Sequence, residues 1–186
     1  ESRARLEIVG DGELSGRRRA ACYCDVADLN CALGIQNGDS YFRSAERAYS
    51  DVLSLRDIGV SVESRALNNR GATRMWRARC AHMYEKVISL ELVDQAVSDL
   101  EKARSLRAGS RTRYQTVYNL GLAGRLRFGF TGIGEALRAS LGHFKSLEAE
   151  LALDSEAWQW FPMLGNEIAQ TRRLIGEDVA VDSRGI

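Results

Sequence analysis

Two parts of the chain repeat one pattern, in which a helical stretch carries an Asn shortly before a Gly and a second helical stretch with small residues follows. The first instance is 66–71 followed by 94–103, and the second is 117–121 followed by 134–139. A helix pair of this kind cannot bury its apolar face alone, so repeated pairs stack on one another. The repeat therefore predicts an all-α array of helix hairpins.

The composition agrees with a helical domain. The chain has 186 residues, of which 45% are hydrophobic and 27% charged. A chain of this length can bury a core without disulfide or metal support. Pro162 is the single proline, and this scarcity favours long helices because Pro disrupts helix interiors.

Charge and hydropathy indicate which partners to expect. The 26 basic and 25 acidic residues give a net charge of +1, which does not favour nucleic acid as a partner. No apolar run approaches the roughly 20 residues that span a bilayer. Because the chain begins at Glu1, a leader or an upstream domain is one interpretation, and the compartment stays open between the cytoplasm and export from a bacterium.

Four cysteines leave three interpretations open. Cys22, Cys24, Cys31 and Cys80 can be buried small side chains, or Cys22 or Cys24 can form a disulfide with Cys31 or Cys80 in an oxidising compartment. Zinc is the third interpretation, but the spacing lacks paired C-x-x-C motifs. We predict no metal site.

Apolar periodicity and turn residues set the predicted boundaries. The first helix has one apolar face, formed by Cys22, Val26, Leu29, Ala32 and Leu33. The predicted segments are a lead-in 1–19, a helical domain 20–176 with hairpins at about 20–57, 62–108 and 111–153 and a capping helix within 156–176, and a mobile tail 177–186. The second hairpin has an enlarged connection, 82–91, which is a possible partner contact.

The three hairpins resemble tetratricopeptide repeats. The third pair matches the Leu-Gly of that pattern at Leu120-Gly121, whereas the second has Arg70 before Gly71. In the second helix of that pair, the family's Ala, aromatic and Ala positions hold Ala96, Leu100 and Ala103. The pattern is degenerate, because the closing Pro is absent from all three pairs.

The repeat spacing is uneven. Equivalent positions at Val26, Ser64 and Tyr114 are about 38 and 50 residues apart, against a family period of about 34. The resemblance implies an α–α superhelix of about three hairpins closed by a C-terminal capping helix, in which Trp158 and Trp160 are predicted core residues. It also implies a groove, lined by the first helix of each pair, that binds a peptide or a helix.

The resemblance also implies which residues would bind in that groove. It places Asn69 and Asn119 where the family often hydrogen-bonds a peptide backbone, since an amide offers both a donor and an acceptor. Hydrogen bonding between repeats is the alternative role for these two side chains. The further predicted groove residues are Asn30, Arg70, Arg74 and Tyr118, with the arginines as carboxylate contacts.

No arrangement in the sequence predicts catalysis. His82 and His143 lie on different predicted helices and outside any metalloprotease motif. The glycine-rich stretch 129–134 lacks the Gly-Lys-Ser/Thr end of a phosphate loop. We therefore predict a non-catalytic protein-interaction module without a cofactor, a monomer or weak homodimer. The alternatives are a regulatory, sensor or dimerisation domain of a larger protein and a helical enzyme with an unrecognised site.

Overall fold

The described part of the chain consists of helices and the short segments that connect them, and contains no strand. The computed structural model describes residues 16–106, 108–154 and 156–176. The helices are α1 (Gly16–Asn37), α2 (Asp39–Ser54), α3 (Val60–Cys80), α4 (Leu90–Ser105), α5 (Ser110–Thr131), α6 (Gly134–Leu151) and α7 (Leu164–Ile175), with a π-helical turn Ala81–Glu85 and a 3₁₀ turn Ala157–Trp160. The all-α prediction is confirmed, while the predicted tail and most of the predicted lead-in lie outside the described residues.

The helices pack as consecutive pairs. The most extensive contacts join α1 to α2, α3 to α4 and α5 to α6. The first helices of successive pairs also touch, α1 against α3 and α3 against α5, and α7 packs on α6. Each apolar cluster includes a residue of the helix that follows the pair. These residues are Ala66 of α3, Leu120 of α5 and Leu164 of α7. Each pair thus completes its core with the helix that follows it.

The two glycines of the repeated pattern lie where paired helices approach most closely. A Cβ added to Gly71 would stand 2.8 Å from Leu100 Cγ and 3.0 Å from the Ala96 carbonyl oxygen. A Cβ on Gly121 would stand 2.3 Å from the Phe144 ring. These distances are below normal van der Waals contact, so only glycine permits the observed helix separation. The repeated glycines are therefore explained by packing.

Several predicted boundaries differ from the structure. Helix α1 begins at Gly16, before the predicted residue 20, and α5 continues through Gly129 to Thr131. The glycine-rich stretch thus supplies only a short turn, where Gly132 ends α5 at φ 69° and donates its N–H to the Phe128 carbonyl over 2.7 Å. A glycine in a helix interior costs only about 1 kcal/mol relative to Ala, which is too little to end α5 at Gly129.

The segment before α7 also differs from the prediction. Pro162 lies in the turn that precedes α7, not in its first helical turn. Trp158 and Trp160 are 37% and 39% exposed, so neither is the core residue that we predicted. Phe161, directly after Trp160, is buried and belongs to the last apolar cluster. Leu29, predicted on the apolar face of α1, is exposed because α2 covers a neighbouring face that includes Cys24 and Ala27.

All four cysteines are free thiols. Cys24 is fully buried and Cys22, two residues earlier on α1, is exposed. Burial, the largest effect, raises the pKa of the Cys24 thiol to about 11. The Cys24 thiol is therefore protonated at neutral pH and acts as a small core side chain.

Candidate functional site

A row of polar side chains joins the first helices of the three pairs. Asn69 on α3 donates Nδ2–H to Asp28 Oδ1 on α1 over 2.7 Å, and Asn119 on α5 donates Nδ2–H to Asn68 Oδ1 on α3 over 3.1 Å. The partners are 41 residues apart in the first bond and 51 in the second. The same contact therefore recurs at uneven intervals, as the uneven repeat spacing predicts.

Asn68 is the centre of this row. It is 3% exposed and accepts hydrogen bonds at Oδ1 from both Asn119 and the Thr116 hydroxyl, while its Nδ2–H donates to Asn69 Oδ1. A buried amide with several partners is costly to remove, because each partner is left unsatisfied. The two repeated asparagines thus fulfil the alternative role of hydrogen bonding between repeats.

Asp28 collects the donors at the α1 end of the row. Its carboxylate accepts from Asn69, from the Tyr49 hydroxyl and from Arg65, whose Nη2 lies 2.6 Å from Asp28 Oδ2. Arg65 also reaches Asp25 over 2.6 Å. Burial and the Asp28 carboxylate raise the pKa of the Tyr49 hydroxyl well above its usual range, so this hydroxyl remains a donor at physiological pH.

A cavity of about 690 Å³ opens beside the polar row. We call it the first cavity. It lies between α3, α5 and the segment that precedes α7. Its lining is Asp28, Arg65, Asn68, Asn69, Ala72, Arg111, Thr112, Gln115, Tyr118, Asn119, Trp160, Phe161, Pro162 and Met163. Most of these side chains are polar or aromatic, and a volume of this size suits a peptide segment or small ligand.

Arg111 provides the cation at one end of the first cavity. Its guanidinium lies 5.4 Å from the centre of the Trp160 ring, a distance at which the ring attracts a cation. No carboxylate of a described residue lies within 4.0 Å of it. Within the same part of the chain, the Gln115 side chain also has no hydrogen-bond partner. Both groups are therefore free to bind a ligand.

A second cavity, of about 490 Å³, adjoins the first one at Asn119. Its lining is Met75, Trp76, Arg79, Asn119, Leu122, Arg125, Leu126, Phe128, Gly129, Glu167, Gln170 and Leu174. Asn119 borders both cavities. Along α3 and α5, later residues line the second cavity than the first, and α7 lines the second cavity where the segment before it lines the first. The three chain segments therefore run in one direction along the two cavities. We call the two cavities together the groove.

The second cavity has the same kind of cation at its far end. The Arg79 guanidinium lies 5.2 Å from the centre of the Trp76 ring, and within the described chain no carboxylate approaches it within 4.0 Å. Arg125 nearby pairs with Glu167 and donates to Gln170 Oε1 over 2.8 Å. Burial lowers the pKa of Arg125, and repulsion from Arg79 adds to this. Arg79 therefore adds positive charge that no acid there neutralises.

The structure brings half of the predicted groove residues to the groove. Asn69, Tyr118 and Asn119 line the first cavity, and the Tyr118 ring packs against Phe144 and Phe161 at centroid distances of 5.8 and 5.4 Å. Asn30 is buried and lines neither cavity.

Arg70 and Arg74 lie on the other face of α3, towards α2 and α4. Arg70 donates from Nε and Nη2 to the two Asp99 carboxylate oxygens, each over 2.7 Å, and Arg74 Nη1 donates to Asp99 Oδ2 over 2.7 Å. Arg74 also pairs with Glu46. Their charges are therefore used between helices, which is why neither arginine lines the groove.

Sequence reasoning missed Arg79 and Arg111, the two arginines of the groove that have no acidic partner among the described residues. A signal existed for the first, because Trp76 and Arg79 are three residues apart on a predicted helix and so share a face. Arg111 and Trp160 are distant in sequence, and only the packing of the segment before α7 brings them together. Because both Trp of this segment were predicted to lie in the core, the contact between Arg111 and Trp160 was not predicted.

The groove offers hydrogen bonding, positive charge and apolar contact. Neither cavity lining contains a histidine or cysteine, and in the described residues no three His, Cys, Asp or Glu side chains are grouped as metal ligands. His143 lies on α6, where burial and Arg104 lower its pKa. The His82 ring contacts the edge of Phe130 at 5.1 Å.

Comparison of the chain with protein-family models, curated proteins and solved structures finds no match. Within the described ranges, no helix has the length and apolar character to cross a membrane.

Proposed function

We propose that this protein is a non-catalytic interaction module, a degenerate tetratricopeptide-like superhelix that binds an extended peptide segment in the groove. Three observations support the superhelix: the consecutive helix pairs, the contacts between their first helices, and the close approaches at Gly71 and Gly121. Binding in the groove follows from the same arrangement, because the first helices line it.

The observation that carries the proposal is the combination of unpaired polar groups and exposed aromatic rings along one groove. An extended peptide exposes backbone N–H and C=O groups that need partners when water is removed. The Gln115 amide has no partner among the residues that the structure describes, and it offers both a donor and an acceptor. Trp160 and Trp76, each more than a third exposed, offer flat apolar surface to peptide side chains.

The groove has the length for a short extended segment. Arg111 and Arg125 are fourteen positions apart on α5, which is about 21 Å of helix at 1.5 Å per residue. An extended peptide rises roughly 3.3 Å per residue, so about six residues reach from one end to the other. A bound helix would satisfy its own backbone groups and make less use of the amide in the groove.

A library of short random peptides displayed on phage tests the proposal. We expect selection on the wild-type protein to enrich peptides whose affinity falls when Gln115 or Trp160 is replaced by Ala. The matched control is Gln95→Ala on α4, which lines neither cavity and should leave binding unchanged. Peptides that bind all three variants equally would place binding elsewhere, and failure to enrich any peptide would count against a peptide-binding function.

A second candidate function is self-association through the connection between α3 and α4. Met83, Tyr84, Val87, Ile88 and Leu90 are all more than a third exposed there, and a contiguous apolar patch of this kind is typical of an interface. Light scattering of the wild type and of Ile88→Asp tests it. A concentration-dependent dimer that the substitution abolishes supports this function, whereas a monomer at every concentration excludes it.

A further inference from the structure

Resting on the proposed peptide-binding function, we propose that the ligand is an acidic peptide segment with two carboxylates about six residues apart and apolar side chains between them. One carboxylate pairs with Arg111 on Trp160, and the other pairs with Arg79 on Trp76. The distinguishing geometry is this pair of arginine–tryptophan sites at opposite ends of one groove.

The charges of the groove favour acidic ligands. Arg65 is paired with Asp25 and Asp28, and Arg125 is paired with Glu167. Arg79 and Arg111 have no such partner among the described residues. A guanidinium held against an aromatic ring still presents its N–H edge, which binds a carboxylate through two parallel hydrogen bonds.

The middle of the groove favours apolar side chains. Between the two arginine–tryptophan sites, the second cavity has a wall of Met75, Leu122 and Leu126. All three side chains belong to or pack against the apolar cluster shared by α3, α4 and α5. A bound segment therefore gains by burying aliphatic side chains there, while its acidic residues reach the two ends.

A nucleic acid strand fits the same groove less well. Two carboxylates, Asp28 and Glu167, lie in the lining and would repel a backbone that carries one phosphate per nucleotide. The net charge of the whole chain is only +1, and polyanion binding depends on an extended positive surface. Two isolated cations match two isolated carboxylates better than a continuous row of phosphates.

Blocked peptides of about seven residues test the inference by isothermal titration calorimetry. The first has Asp at both ends with alternating Leu and Ala between them, the second has Asn in place of both Asp, and the third and fourth have a single Asp at one end. We expect the double-Asp peptide to bind the wild type at least about tenfold more tightly than the Asn peptide, because each charge-assisted hydrogen bond contributes on the order of one tenfold step.

The variants then assign each carboxylate to its arginine. Arg79→Ala and Arg111→Ala should each weaken the double-Asp peptide about tenfold and leave the Asn peptide unchanged. Each single-Asp peptide should respond to only one of the two variants, which fixes the direction of binding. Arg138→Ala is the matched control, because Arg138 is an exposed arginine on α6 that lines neither cavity.

The outcomes separate this inference from the function on which it rests. If the Asp and Asn peptides bind the wild type equally, and both bind Trp160→Ala more weakly, the acidic preference is overturned and peptide binding in the groove stands. Absence of binding by every peptide, including those selected from the random library, overturns both. Tight binding of a single-stranded oligouridine that depends on Arg79 and Arg111, without peptide binding, also overturns both.

Discussion

Arginines on the two faces of α3 are held in different ways. Arg70, Arg74 and Arg77 point towards α2 and α4. There they form ion pairs with Asp39, Glu46 and Asp99. Arg79, on the groove face, lies over Trp76 without an acidic partner in the described residues. One residue type therefore serves helix packing on one face and is left open for a ligand on the other.

The difference follows from how much water reaches each arginine. The inward-facing arginines are less than a fifth exposed, and their carboxylate partners Glu46 and Asp99 less still. Charged side chains with so little exposure to water must be paired. The free-energy cost of burying an unpaired ion is larger than the stabilisation that most single interactions provide. An exposed arginine on a Trp ring has no such requirement and can exchange water for a ligand.

Removing Asp99 should have the largest effect on stability. Asp99 is 6% exposed and binds both Arg70 and Arg74, so Asp99→Ala leaves two arginines with a lost partner in a nearly dry site. We expect the free energy of unfolding, measured in urea, to fall by about 3 kcal/mol or more. The matched control on the same helix is Asp94→Ala, whose pair with Arg127 is about half exposed at 3.4 Å and should contribute less than about 1 kcal/mol.

That pair of variants can break the comparison between the two faces. Equal effects of Asp99→Ala and Asp94→Ala would mean that the inward-facing network does not stabilise the packing of α2, α3 and α4. The distinction between structural and available arginines would then have no energetic basis.

Overpacking the close contact between α5 and α6 should have the next largest effect on stability. Gly121→Ala places a Cβ 2.3 Å from the buried Phe144 ring, and overpacking of this kind costs about 1–3 kcal/mol. Gly142→Ala, on an exposed turn of α6 with open space around it, should stabilise the protein by about 0.5–1 kcal/mol. Thermal unfolding of both variants measures the contrast, and a stabilising Gly121→Ala would contradict the close approach.

The polar row between the first helices should have an intermediate effect. Asn68→Ala removes the shared acceptor of Thr116 and Asn119 and should lower the free energy of unfolding by about 1–3 kcal/mol. Gln115→Ala, one turn before Asn119 on α5, removes an amide that has no hydrogen-bond partner in the described residues. It should change the free energy of unfolding by less than about 0.5 kcal/mol. Urea unfolding of both variants distinguishes a structural amide from one available to a ligand.

The Asn variants also bear on binding experiments. Asn69 and Asn119 both line the first cavity and hold neighbouring helices together. Replacing both by Ala would alter binding through either role, so loss of binding in that variant alone does not identify a peptide contact. Gln115→Ala and Arg111→Ala reduce this ambiguity, because Gln115 has no side-chain partner among the described residues and Arg111 has only its contact with the exposed Trp160 ring.

Much of the fold follows from local pattern. Small residues at helical spacing predicted the helix pairs, and Gly71 and Gly121 lie where the paired helices meet. Periodicity is a local property, so it located the helices well. Helix ends were less predictable: Gly129 suggested a turn, but α5 continues through it to Thr131, because one glycine inside a helix costs only about 1 kcal/mol.

The groove was only partly predictable, because its chemistry depends on which face each side chain presents. Tyr118 and the two asparagines were placed by the resemblance, and all three line the first cavity. Arg70 and Arg79 look equivalent in the sequence, yet they lie on different faces of α3, and in the described part of the chain only Arg70 has an acidic partner. Asp99, which decides this for Arg70, is 29 residues away, and no spacing rule connects the two.

The smallest stability effects should come from the arginines to which we assign ligand contacts. Arg79→Ala and Arg111→Ala remove exposed cations whose partners are Trp rings, and exposed cation–π contacts contribute only about 0.5–1 kcal/mol. Arg70→Ala should cost several times more, since it leaves the Asp99 carboxylate, 6% exposed, with one partner fewer. If urea unfolding shows that Arg111→Ala destabilises as strongly as Arg70→Ala, then Arg111 is a structural residue and the contrast between the two faces fails. If its stability is unchanged while the double-Asp peptide binds more weakly, the effect on binding is direct, because an unaltered fold leaves the lost guanidinium as its only cause.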